Sequence, residues 1–189
     1  ITIGQKSVAW PTDRAYVYIS RLDQLNVIGR FETGKSVTAP ITYWPPLFYA
    51  ASQDGYVYAL DETKGTSAWR YSLGEVLRQP AVAIDDSVYA IPETGGMIAL
   101  TADTGRERWY APQVEQFLAA SPHRLYVVDG RRQLVILDRN SGAPVSSLPL
   151  YDLSMRLTNT QNDRIYLANE TGKKECEPES AQDIPSEKN

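Results

Sequence analysis

A beat of about forty residues constrains this chain more than any single residue does. Tyr58-Ala59-Leu60-Asp61 returns as Ile98-Ala99-Leu100-Thr101, and again as Val135-Ile136-Leu137-Asp138. Each copy runs into a turn that ends in glycine: Gly65, Gly105 and Gly142. Trp69 and Trp109 follow the first two glycines at the same short distance. A fixed period of this length means that one module cannot bury its own apolar face. It has to stack on its neighbours.

A short strand sets the register. Phe48-Tyr49-Ala50, Val88-Tyr89-Ala90, Leu125-Tyr126-Val127 and Ile165-Tyr166-Leu167 are equivalent, and Tyr16-Val17-Tyr18 reads as an earlier copy. Turn-prone residues flank each one, and two more strands follow, split by the glycine turn. Alternation such as Tyr56-Val57-Tyr58-Ala59-Leu60 has the period of a strand, not of a helix. Twelve Tyr and four Trp favour strands, and twelve Gly and twelve Pro supply turns. Strands are expected over 47–52, 56–61, 67–71, 88–91, 97–101, 107–110, 125–129, 133–138 and 165–169, with almost no helix.

Four short strands per module, repeated in series, read as an all-β propeller, or a partial propeller arc, of about four to five four-stranded blades. The repeats run over about 8–38, 39–79, 80–120, 121–157 and 158–172, so that residues 1–172 form the blades. Module one lacks the Asp…Gly…Trp turn, and Gly29 stands where Trp69 would be. Module five keeps only its first half. From Lys173 the chain is almost without apolar residues, so 173–189 reads as a disordered polar tail.

The most specific pattern is Ala-x-Asp-x-x-Thr-Gly-x-x-x-Trp. Ala59, Asp61, Gly65 and Trp69 fit it, with Lys64 in place of the threonine. Ala99, Thr104, Gly105 and Trp109 fit it next, with Thr101 in place of the aspartate. Asp138, Ser141 and Gly142 carry a looser third copy. This resembles the blade motif of the pyrroloquinoline-quinone-type (PQQ-type) propeller repeats, of the quinoprotein alcohol dehydrogenase-like superfamily. It is similar to the propeller lipoprotein of the outer-membrane β-barrel assembly machinery. In local terms, the glycines suit turns that need positive φ. Asp61 can accept backbone N–H groups within its turn. Trp69 and Trp109 offer large rings to fill the wedge between blades, and both are expected to be mostly buried, with Trp44 more exposed.

Enzymatic readings find little support. A PQQ dehydrogenase would be expected, by the resemblance, to bring an adjacent cysteine pair, a tryptophan floor and a calcium site of Glu, Asn and Asp. The chain has one cysteine, Cys176, and one histidine, His123. One histidine builds no zinc cluster, and no Gly-x-Ser-x-Gly elbow or phosphate-cradling loop appears. No cofactor or metal is therefore expected. The net charge of −4 leaves no basic footprint for nucleic acid. Apolar runs are strand-length, so no transmembrane segment is expected.

What remains is surface. In a four-stranded meander the first and third turns share one face, and the second turn and the link between modules share the other. The first face presents Tyr43-Trp44-Pro45-Pro46, where Trp44 is a candidate partner anchor. The second presents Asp54, Glu93, Arg78 and Gln79, and the basic turn with Arg131 and Arg132, a candidate for an acidic partner. The expected function is a non-catalytic scaffold that binds protein partners, periplasmic or otherwise extracytoplasmic, in outer-membrane protein assembly. An extracytoplasmic sensor or ligand-binding propeller is the first alternative, and a quinoprotein dehydrogenase fragment the second. Open blade edges would also invite pairing with another copy of the chain.

Overall fold

The computed structural model describes residues 1–24, 26–150, 155–159, 165–168 and 174–177. They fall into two compact units, Ile1–Glu115 and Gln116–Asn189. Every regular element described is a strand, and the chain is all-β.

In the first unit, β1 (Thr2–Ile3), β2 (Ser7–Pro11), β3 (Tyr16–Arg21) and β4 (Val27–Glu32) form one sheet. The second sheet holds β5 (Thr42–Trp44), β6 (Leu47–Ala51), β7 (Tyr56–Asp61) and β8 (Ser67–Ser72). The third holds β9 (Val82–Ile84), β10 (Ser87–Ala90), β11 (Met97–Thr101) and β12 (Glu107–Ala111). A fourth begins with β13 (Val114–Ala120), which straddles the unit boundary, and continues through β14 (Arg124–Asp129), β15 (Gln133–Asp138) and β16 (Pro144–Pro149). The second unit ends with a three-stranded sheet of β17 (Met155–Leu157), β18 (Ile165–Ala168) and β19 (Lys174–Glu177). Each sheet is an antiparallel meander, so the blades of a propeller are present.

The repetition reaches individual bonds. The third and fourth strands of four sheets carry the same register shift, after Ile19, Ala59, Ala99 and Ile136. Those four residues pair with Gly29, Trp69, Trp109 and Ser146. At one end of each blade, the first turn's carbonyl accepts an N–H from the third turn. The pairs are Lys6 with Leu22, Pro46 with Glu62, Asp86 with Ala102, and His123 with Arg139, at 2.8–3.1 Å. The two turns that sequence assigned to one face are thus bonded to each other.

This register corrects one alignment. Tyr16-Val17-Tyr18 lies in the third strand, equivalent to Tyr56-Val57-Tyr58, and not in the second beside Phe48-Tyr49-Ala50. Both strands carry a tyrosine among small and apolar neighbours, so side-chain type alone did not separate them. Module one is consequently a complete four-stranded sheet, with β1 and β2 ahead of that strand. Two sheets also start upstream of the repeat boundaries: β13 and β17 lie at the ends of segments read as modules three and four. Lys174–Glu177, read from composition as tail, pairs with β18 as a strand. Residue 173 and residues 178–189 lie outside the described ones.

The core sits between blades. Val17, Ile19 and Ala9 of the first blade pack with Phe48, Ala50, Tyr58 and Leu60 of the second. The opposite face of the second, with Tyr49, Val57 and Ala59, packs with Val88, Ala90, Ile98 and Leu100 of the third. A strand alternates its side chains across the sheet, so the second blade supplies one apolar set to each neighbour. In the second unit, Leu118, Tyr126, Val128 and Leu134 form a further cluster with Ile165.

Candidate functional site

The motif residues are engaged within and between blades. Asp61 Oδ1 accepts from the N–H groups of Thr63 and Lys64, both at 2.9 Å, and from the Thr63 hydroxyl at 2.8 Å. Asp138 Oδ1 does the same for Asn140, Ser141 and the Ser141 hydroxyl. Gly65, Gly105 and Gly142 lie at φ of 66°, 67° and 70°, where an L side chain is strained. Thr101 replaces the aspartate in the third blade, and its backbone still closes the turn by accepting from Gly105 N–H at 2.8 Å.

The turns at Gly65 and Gly105 are also seats for the preceding blade. The indole of Trp69 lies on Gly105, where a Cβ would fall 2.5 Å from the ring. Its Nε1–H donates to the Ala102 carbonyl at 2.9 Å, and the Tyr49 hydroxyl donates to the same carbonyl at 3.1 Å. Between the first and second blades there is no tryptophan. There Gly29 lies directly on Gly65, and a Cβ on Gly29 would fall 2.3 Å from the Gly65 carbonyl oxygen. Trp109 is buried at 8% exposure, whereas Trp69 is half-buried. Ala59 and Ala99, both at 0%, leave room for the rings that pair across from them. Thr104 is exposed in the third-blade turn.

Glu62 was not legible as important. It is 3% exposed, between the first and second blades. Its carboxylate accepts from Lys6 N–H at 2.5 Å, Ser7 N–H at 3.1 Å and the Tyr43 hydroxyl at 2.6 Å. A buried carboxylate that is fully bonded fixes the turn ahead of β2. Neighbouring repeats hold Leu22 and Ala102 at this position, so the repeat pattern gave no signal for it.

The surface candidates divide. Trp44 ends β5, next to the Pro45-Pro46 turn, and is 37% exposed. On the opposite end of the same unit, most polar residues are occupied locally. Arg78 pairs with Glu93 at 2.9 Å. Asp54 accepts from Gly34 N–H and from the Tyr58 hydroxyl. Gln79 donates to the Glu115 carbonyl. Within the second unit, Arg131 and Arg132 are exposed at the tip of the β14–β15 turn. Asp129 Oδ1 shapes that turn by accepting from Arg131 and Gln133 N–H at 3.0 and 2.8 Å. Arg132 has φ of 60°, at the position where the second blade has Gly55. Sequence reasoning could have found this strain by aligning Arg132 with Gly55.

Among the described residues, no group of three or more His, Cys, Asp or Glu side chains is placed to hold a metal. No helix described is long and apolar enough to cross a membrane.

Residues 53–145 match a family model described as outer membrane protein assembly factor BamB. No curated protein matches the chain. Among solved structures, BamB from Moraxella catarrhalis is similar with a TM-score of 0.72 and 18% identity, over 92% of this chain and 58% of that one. The quinohemoprotein alcohol dehydrogenase ADHIIG from Pseudomonas putida HK5 gives 0.67 and 12%, over 88% of this chain and 38% of that one. A europium-containing methanol dehydrogenase gives 0.64 and 12%, over 93% and 50%. The chain spans less than two thirds of each, and at these identities the likeness is one of fold.

Proposed function

We propose that this chain, whose repeats are those of the PQQ-type β-propeller family, is a non-catalytic scaffold that holds protein partners in outer-membrane protein assembly. The observation that carries the reading is the family-model match over 53–145, which covers the last two strands of the second blade, the whole third blade and most of the fourth. The way the motif is used supports it. Asp61, Gly65, Trp69 and Gly105 are engaged in closing and docking blades. The chain's individuality then lies in turns such as Trp44-Pro45-Pro46 and Arg131-Arg132, the kind of element that carries recognition on a rigid frame.

Two contacts follow from that placement. Trp44 offers a large, partly exposed ring at the end of β5, suited to an apolar pocket on a partner. Arg131 and Arg132 offer two guanidinium forks to carboxylates. Arg132 holds a left-handed backbone that glycine would adopt at less cost, so the side chain has a use that offsets the strain. This function places the protein in the periplasm or another extracytoplasmic compartment.

The test is complementation. A bacterial strain deleted for its own BamB should regain outer-membrane protein levels when this protein is exported to its periplasm. Stable, exported protein with no recovery in outer-membrane protein levels counts against the reading.

A further inference from the structure

The outer strands of the four four-stranded sheets differ in how they meet solvent. β4, β8 and β12 each have partly or fully buried residues along their length, and each carries charge. Arg30 and Glu32 lie on β4, Arg70 on β8, and Glu107 and Arg108 on β12. Such charges blunt a sheet edge against pairing. β16 reads Pro144-Val145-Ser146-Ser147-Leu148-Pro149, with no charge and with all six residues exposed. Val145 is 52% exposed and Leu148 48%.

The edge has a definite polarity. β16 pairs with β15 through Ser146 opposite Ile136, Ser147 opposite Val135 and Leu148 opposite Leu134. Leu150 N–H donates to the Arg132 carbonyl at 3.2 Å, just beyond the strand. Backbone groups alternate between the two sides of an antiparallel strand. Ser146 and Leu148 therefore turn their backbone groups towards β15, and Ser147 turns its N–H and C=O outwards. The prolines at both ends limit any added pairing to the few residues between them.

We propose that β16 pairs, antiparallel, with the β16 of a second copy of this chain. A two-fold interface requires a surface that complements itself. With the axis at Ser146 or Ser147, each outward N–H meets an outward C=O of the partner copy, and no like charges face each other. The same operation on β4, β8 or β12 brings charged side chains of one copy against the charged strand of the other. The absence of charge along the strand leaves it compatible with a second copy of itself, whose outward backbone groups repeat in the register the two-fold needs, and nothing along it favours a charged peptide. The interface is small, so the dimer is weak and depends on concentration.

Sedimentation equilibrium over a concentration series tests this. The weight-average mass should climb towards twice that of the monomer. Ser147→Pro removes an outward N–H without touching the β15 ladder, and should weaken dimerisation about tenfold. Ser147→Lys should weaken it in a salt-dependent way. In a Cys176→Ser background, Ser146→Cys or Ser147→Cys should give an oxidised dimer, while Ser67→Cys on β8 gives none. A mass that stays monomeric at every concentration overturns the proposal, and so does a dimer that Ser147→Pro leaves unchanged. A monomer that binds an added uncharged strand peptide at β16 also overturns it, by giving the edge a different occupant.

Discussion

The indole Nε1–H of Trp69 donates to the carbonyl of Ala102, one blade further along the chain. The ring that carries this bond rests on Gly105, so one side chain makes both a polar and an apolar contact of the joint. Replacing Trp69 with Ala should cost about 3 kcal/mol, the low end for a large core aromatic, because the ring is half-buried. Trp69→Phe keeps much of the ring and loses the bond, for about 1 kcal/mol. Urea denaturation of the two variants checks the order. Equal losses would show that the hydrogen bond carries the joint and the ring does not.

The joint between the first and second blades should respond in the opposite sense. Gly29→Trp restores the repeat's own motif, yet it should destabilise severely, because a Cβ there collides with the Gly65 backbone. Even Gly29→Ala should be worse than Gly74→Ala, where a Cβ meets nothing within 4 Å and the cost is about 1–2 kcal/mol of left-handed backbone strain. Thermal unfolding of the three variants ranks them, and a Gly29→Trp protein as stable as the parent would remove the close-contact argument.

Stability should fall off at both ends of the pH scale for identifiable reasons. Burial pushes the Asp61 carboxyl up, but the N–H of Lys64 and the hydroxyl and N–H of Thr63 more than offset it, and it sits below the usual range. For a depressed carboxyl, the contribution is present above its unfolded value, near 4, and is lost as pH falls through the folded value. Burial, followed by a bond to Glu62, Asp54 or Glu107, raises Tyr43, Tyr58 and Tyr71 to about 12. For a raised phenol, the contribution is present below its unfolded value, near 10, and is lost as pH rises towards 12. Asp61→Asn should flatten the acid limb and Tyr71→Phe the alkaline one, as read by the urea midpoint against pH. An acid limb unchanged in Asp61→Asn would assign it elsewhere.

Arg132→Gly should separate stability from recognition. It relieves left-handed strain, so the unfolding midpoint should hold or rise, by about 1 kcal/mol. Complementation by the same variant, and by Arg131→Ala, should drop. If Arg132→Gly complements fully, the arginine pair has no part in binding.

The purified chain should reduce no redox dye with alcohols or aldehydes in the presence of added PQQ and calcium. Saturable, cofactor-dependent reduction would move the protein into the dehydrogenase class.

The third strands of the second, third and fourth modules were legible because their signals are local. β7, β11 and β15 begin and end within a residue of the spans expected from alternation and turn glycines. The first strands were poorly legible. β5 and β9 have three residues each, too few to show a period, and β1 has two. β13 starts directly after the short Pro112-Gln113 turn, well before the point where β5 and β9 begin in their repeats, so its residues were read as the end of the preceding repeat. At the surface, the exposure of Trp44 and of the arginine pair followed from their turns. Glu62 did not, because its value comes from three donors brought together by the fold, two of them more than fifty residues away.

The seat of the Trp69 ring is supplied by the following repeat. Trp69 belongs to one module, and Gly105 and Ala102 belong to the next. A cut between these modules therefore separates a plug from its socket, while a cut at the turn between the third and fourth strands of a blade leaves both halves of the joint on one piece. If such a protein gains or loses length by copying segments, the segment that travels intact is the joint, phased half a module away from the sheet that the eye picks out. A duplication from Thr66 to Gly105 would insert a working joint, whereas one from Thr42 to Ala81 would have to rely on the match between a plug and a socket that had never met.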